Sequence, residues 1–94
     1  MLRFEWDESK NIANIKKHGV SFQEAISVFT DEKGILINDY AHSQKEERFV
    51  LIGFSNLANL LVVCHCYRQN EETIRIISAR KATKKESEQY VEGV

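Results

Sequence analysis

The apolar residues of this 94-residue chain change period once, near Gly34, and that change constrains the fold more than any other feature. Before it, side chains recur at helical spacing; after it, they alternate. Asp7 can cap a helix that runs to about Lys17, with Ile12 and Ile15 expected inward and Lys10, Asn14 and Lys17 on a polar stripe. Gly19 stands where a left-handed C-terminal residue ends a helix. Ser21-Phe22-Gln23-Glu24 fits a capping box, in which serine and glutamate satisfy each other's amide donors, and it predicts a second helix of about nine residues. A short strand, Leu2 to Trp6, precedes both helices.

Beyond Gly34, strands are expected at residues 35–37, 48–54, 60–67 and 73–79. Polar turns at 55–59 and 69–72 make them an antiparallel meander, and residues 38–45 form a polar loop. Residues 60–67 are apolar on both faces, which predicts a central strand. A second capping box, Thr83-Lys84-Lys85-Glu86, opens a C-terminal helix to about Val91. The expected fold is α+β: a twisted antiparallel sheet with helices over one face, in a single domain spanning 1–94.

A chain with 43% apolar and 29% charged residues is neither disordered nor membrane-spanning, and no apolar run reaches the ~18–20 residues of a span. Two cysteines cannot form a disulfide framework, and the acidic residues near the start do not suit a signal peptide, so the cytoplasm is the expected compartment. The net charge of −1 would argue against nucleic acid, but it is a cancellation. Residues 24–47 carry six acids against two bases, a net of −4, and residues 68–85 carry six bases against two acids, a net of +4. Lys10, Lys16 and Lys17 form another basic cluster. A local basic face can hold phosphates whatever the total.

Cys64-His65-Cys66 looks like a metal motif, but strand alternation puts His65 on the face opposite the cysteines, so the three cannot close on one ion. His65 is either a partly buried side chain donating to a carbonyl or a proton-transfer group in a cleft. Arg48 begins one strand, Arg68 ends the next, and Arg75 and Arg80 bracket the last, so Arg48 and Arg68 are expected to meet at one edge. A cluster of guanidinium forks suits a phosphate whose charge grows in a transition state, while paired surface arginines would be inert. No Gly-rich phosphate loop, G-x-S-x-G or H-E-x-x-H occurs, so an enzyme built on these residues is expected to need no cofactor and no metal. RNA suits that equipment, because its own 2′-hydroxyl is the nucleophile.

Three motifs then carry a family resemblance. Phe4-Glu5-Trp6-Asp7 with Lys10, Asn14 and Lys17-His18-Gly19-Val20-Ser21-Phe22 is the first; His42-Ser43 leading to Glu46-Glu47-Arg48 and Ile52-Gly53 is the second. The third is Ile74-Arg75-Ile76-Ile77-Ser78-Ala79-Arg80-Lys81-Ala82-Thr83 with Glu86 and Tyr90. In this order they resemble the BrnT family of bacterial toxins. The resemblance implies a RelE-like fold and a ribonuclease toxin of a type II toxin–antitoxin pair that inhibits translation. It also implies a BrnA-type antitoxin with a ribbon-helix-helix region, through which the complex would bind operator DNA. It places a site on Arg48, His65, Arg68, Arg75 and Arg80, with His65 or Glu47 handling protons and Arg48 and Arg80 holding the phosphate. Lys10, Lys17, Lys81 and Lys84 would align the RNA backbone. The competing expectation is a non-catalytic binding module that sequesters a partner or acts as a co-repressor; a weaker one is a redox or metal sensor on Cys64 and Cys66.

Overall fold

Helices form before Gly34 and the meander after it. A computed structural model describes residues 2–68 and 72–92, so the turn expected at 69–72 falls almost wholly outside them. The elements are β1 (Arg3–Glu5), α1 (Glu8–His18), α2 (Phe22–Ser27), β2 (Ile35–Asn38), β3 (Phe49–Phe54), β4 (Leu60–Tyr67), β5 (Thr73–Lys81) and α3 (Lys84–Glu92). Two 3₁₀ turns join them: Val28–Thr30 tightens the end of the second helix, and Tyr40–His42 lies in the expected polar loop.

The sheet order is β1-β5-β4-β3-β2, which makes β4 the central strand. β2 to β5 are antiparallel neighbours, but β1 joins the outer edge of β5 in parallel, with Arg3 opposite Thr73 and Glu5 opposite Arg75. The sheet is therefore mixed, not antiparallel. No tight turn links the two ends of the chain, so nothing imposes a hairpin direction on β1.

One face carries the core. Val20, Phe22, Ala25 and Val28 pack on Leu51, Leu61, Val63, Ile74, Ile76 and Ala79. The other face also receives a helix, which corrects the one-sided arrangement expected from sequence. Pleat alternation puts Phe54 opposite Leu51. Its ring meets Tyr90 of α3 edge-on at 5.2 Å, and the Tyr90 hydroxyl donates to Asp31 at 2.7 Å. Asp31 also accepts from the Phe54 amide at 2.8 Å. Burial would raise this carboxyl, but those hydrogen bonds hold it below its ordinary value.

The helix caps follow the sequence, with one exception. Asp7 accepts from the amides of Ser9 and Lys10, and Gly19, at φ 70°, donates to the Ile15 carbonyl. Thr83 and Glu86 close a full capping box, at 3.2 and 2.9 Å. Ser21 accepts from the Glu24 amide, but the Glu24 carboxylate turns away to bind the Ser55 hydroxyl at 2.6 Å and Asn59 at 2.9 Å. That box is half formed, because the carboxylate instead fixes the β3–β4 turn against α2.

The inward face of α1 is the larger departure. Ile12 and Ile15 are 55% and 43% exposed, and Asn11 and Asn14 are buried in their place. The reason is a backbone edge. β1 pairs with β5 only as far as Arg75, so the outer edge of β5 continues with no strand beside it among the described residues. There the Asn14 carboxamide acts like a peptide group. Its Oδ1 accepts from the Ala79 amide at 3.2 Å, and its Nδ2 donates to the carbonyls of Ala79 and Val20 at 2.8 Å each. Asn11 accepts from the Phe22 amide at 2.8 Å, tying α2 to the same helix.

Candidate active site

A bulge in β5 builds the open face of the sheet. Cys64 lies opposite Ser78 and His65 opposite Ile76, which leaves Ile77 as an extra residue. Arg75 and Arg80 are an odd number of positions apart, so a regular strand would turn them to opposite faces. The extra residue resets the alternation. Ile74, Ile76 and Ala79 all enter the core, and both arginines emerge on the side away from α1 and α2.

On that face Arg48, Val50, Val62, Cys64, Ile77, Ser78 and Arg80 line a cleft of about 230 Å³, walled by Asp39 and His42. An adjoining hollow of about 180 Å³ is lined by Ala41, His42, Gln44, Lys45, Glu46 and Arg48. Arg48 and His42 belong to both. The loop between them is clamped at its base: the Asp39 amide donates to the Arg48 carbonyl at 2.9 Å, the Arg48 amide to the Ser43 hydroxyl at 3.0 Å, and that hydroxyl to the Asp39 carbonyl at 2.6 Å.

The arginines fall into two groups. Arg48 and Arg80 share the cleft, whereas Arg68 and Arg75 share the Glu5 carboxylate, at 3.4 and 3.1 Å. Arg48, expected beside Arg68 at one edge, lines a cleft with Arg80, while Arg68 pairs with Glu5. Each arginine has a carboxylate near it. Glu46 lies 3.9 Å from the Arg48 Nε, which donates to no acceptor among the described residues. Arg80 is held more firmly, its two terminal nitrogens each 2.8 Å from a Glu86 oxygen. That fork, with the amide and hydroxyl of Thr83 helping and burial opposing, pulls the Glu86 carboxyl down to about 2.

The shift has a consequence for stability. Glu86 has an ordinary value of 4.5, so its ionised form stabilises the fold above that pH and the contribution is lost as pH falls toward about 2. The melting temperature is expected to fall more steeply over this window in wild type than in Glu86→Gln. Equal slopes in thermal melts would show that the pair contributes nothing.

The other candidates are scattered. His65 is fully buried on the core side, its Nδ1 donating to the Val63 carbonyl at 3.1 Å. Phe29, Phe49 and Tyr67 surround its ring. Burial lowers its pKa, the carbonyl hydrogen bond working the other way, and no face of the ring is open to a substrate. Proton transfer to RNA by His65 is therefore corrected. Glu47 is exposed, but Glu46 is the residue that faces Arg48. Lys10 and Lys17 are exposed on α1, across the sheet from the cleft. Lys81 follows Arg80 and Lys84 lies on the outer surface of α3, both exposed. Cys64 lines the cleft while His65 enters the core, so the Cys64-His65-Cys66 run converges on no common point. Burial raises both thiols, leaving them protonated.

The sequence reading missed a pair. His42 Nδ1 lies 3.1 and 3.0 Å from the two oxygens of Asp39, with His42 68% exposed and Asp39 18%. A 3₁₀ turn eclipses side chains three residues apart, which is why these two meet. The available signal was Asp-x-x-His in a polar loop a few residues before Arg48.

Fold and cleft together define a small α+β protein in which Arg48 and Arg80 line one cleft on a face of a mixed sheet. Over residues 6–86 the chain matches the family model described as the ribonuclease toxin BrnT of a type II toxin–antitoxin system, and it belongs to that family. Its fold is similar to that of the Brucella abortus ribonuclease toxin BrnT, seen in a crystal structure, with a TM-score of 0.67 and 24% identity over 89% of this chain and 100% of that one. No curated protein matches the chain at a significant level. Among the described residues, no helix is long and apolar enough to cross a membrane.

Proposed function

We propose that residues 1–94 act as one RelE-like toxin domain that cleaves RNA on the open face of the sheet without a metal ion or cofactor. The observation that carries this reading is the shared cleft of Arg48, which precedes β3, and Arg80 of β5. Guanidinium forks match phosphate oxygens, and they stabilise the extra charge of a pentacovalent phosphate more than that of the ground state. RNA supplies the nucleophile through its 2′-hydroxyl, so no activated water is needed. Arg68 and Arg75 continue the same face and would take phosphates further along the strand, with Lys81 and Lys84 at the Arg80 end. Lys10 and Lys17 lie across the sheet and would contact only RNA that wraps round the molecule.

Membership of the family supports the wider setting: degradation of RNA in the cytoplasm that inhibits translation, neutralisation by a BrnA-type antitoxin, and binding of operator DNA through the ribbon-helix-helix region of that antitoxin. The test is direct. Purified chain, incubated with total RNA in EDTA, is expected to shorten it, and addition of the antitoxin to stop cleavage. RNA left intact at every protein concentration would favour the non-catalytic binding module instead.

A further inference from the structure

The proton-transfer group expected from sequence, His65, is shut in the core, so a ribonuclease built on this cleft needs another. We propose that His42, oriented by Asp39, is the general base that removes the 2′-hydroxyl proton during RNA cleavage; this rests on the ribonuclease reading above. Three observations converge on it. His42 stands on the wall shared by both hollows, beside Arg48, where a phosphate held by the arginines would place its neighbouring ribose. A carboxylate only accepts hydrogen bonds, so Asp39, 3.0 Å away, fixes the proton on Nδ1 and leaves Nε2 as a free acceptor. The ring is 68% exposed on a turn whose base is clamped to Arg48, which gives access without loss of position.

The reaction balances with what the cleft and the substrate supply. The 2′-O–H bond breaks and its proton passes to His42 Nε2. The 2′-oxygen bonds to phosphorus, the bond from phosphorus to the 5′-oxygen breaks, and that oxygen takes a proton from solvent. The products are a 2′,3′-cyclic phosphate and a 5′-hydroxyl, and the imidazolium then returns its proton to water. The titratable and charged groups that line the hollows with the ring are Asp39 on its own turn, Lys45, Glu46 and Arg48 across the hollow, and Cys64 and Arg80 across the cleft.

The experiment is single-turnover cleavage of an RNA oligonucleotide between pH 5 and 9 by wild type, His42→Ala and Asp39→Asn. General base catalysis contributes about 10²–10⁴-fold, so His42→Ala is expected to lose that factor and the acidic limb of the pH–rate profile with it. Asp39→Asn is expected to lose less, because an amide holds the Nδ1 proton less firmly than a carboxylate does. Added imidazole is expected to restore part of the His42→Ala rate, which no merely structural role would allow. Binding of the 2′-deoxy oligonucleotide and the melting temperature are expected to stay at wild-type values, since the side chain is exposed. Wild-type cleavage with His42→Ala within threefold of it would overturn this assignment alone. Intact RNA with wild type would overturn the ribonuclease reading and the assignment together.

Discussion

Arg48→Ala is expected to lower the cleavage rate by about 10²–10³-fold, the cost of removing one preorganised donor from the developing charge. The loss is expected in kcat more than in KM, because the charge on the phosphate grows only in the transition state. Arg48→Lys keeps the charge but not the planar fork, so an intermediate rate is expected. This position isolates chemistry from folding. Its ion pair with Glu46 spans 3.9 Å on a half-exposed surface, where such pairs are worth about 0–1 kcal/mol. Arg80 lacks that advantage: it grips Glu86 at the start of α3, so its replacement would disturb the helix as well as the cleft. Single-turnover kinetics on Arg48→Ala, with the melting temperature as control, make the measurement. A wild-type rate would remove the arginine cleft from the reaction.

The element order was legible in the sequence because caps and periodicity are local signals. Asp7, Gly19 and Thr83 each mark a helix end through the residues next to them. The central place of β4 showed in its two apolar faces. The parallel edge strand was not legible, since pairing between chain ends leaves no turn to read. The bulge at Ile77 leaves only a break in alternation, and both sides of that break are β-formers. It nonetheless decides that Arg75 and Arg80 share a face. Alternation did separate His65 from the cysteines, but it could not tell which face the helices would cover. The charge pattern misled in a similar way. Asp39 of the acidic stretch lines one cleft with Arg80 of the basic one, and Glu46 stands beside Arg48. Glu5 and Glu86, outside the acidic stretch, pair with the other arginines, so the arginines meet carboxylates as much as they make a basic surface.

Asn14→Ala is expected to cost about 2–5 kcal/mol, a large part of the 5–15 kcal/mol that holds a small domain together. The alanine would leave the Ala79 amide and the carbonyls of Ala79 and Val20 without their partner in a buried place. Asn14→Asp has nearly the same shape and is expected to be worse above pH 5. It keeps the acceptor for the Ala79 amide but aims a second carboxylate oxygen at two carbonyls. Burial would raise the introduced carboxyl in the folded state, so stability is expected to be greatest below its unfolded value and to fall as the pH rises through it. Protonated, the group recovers one donor. Urea midpoints at pH 4 and pH 7 would resolve this. The controls are Ile12→Ser and Ile15→Ser, which hydrophobic periodicity would place in the core. Both side chains are largely outside it, so each change is expected to stay within about 0.5 kcal/mol of wild type. Costly isoleucines with a silent asparagine would mean that α1 packs by its apolar stripe. The opposite result would mean that α1 is held by an amide standing in for the strand that β1 stops short of providing.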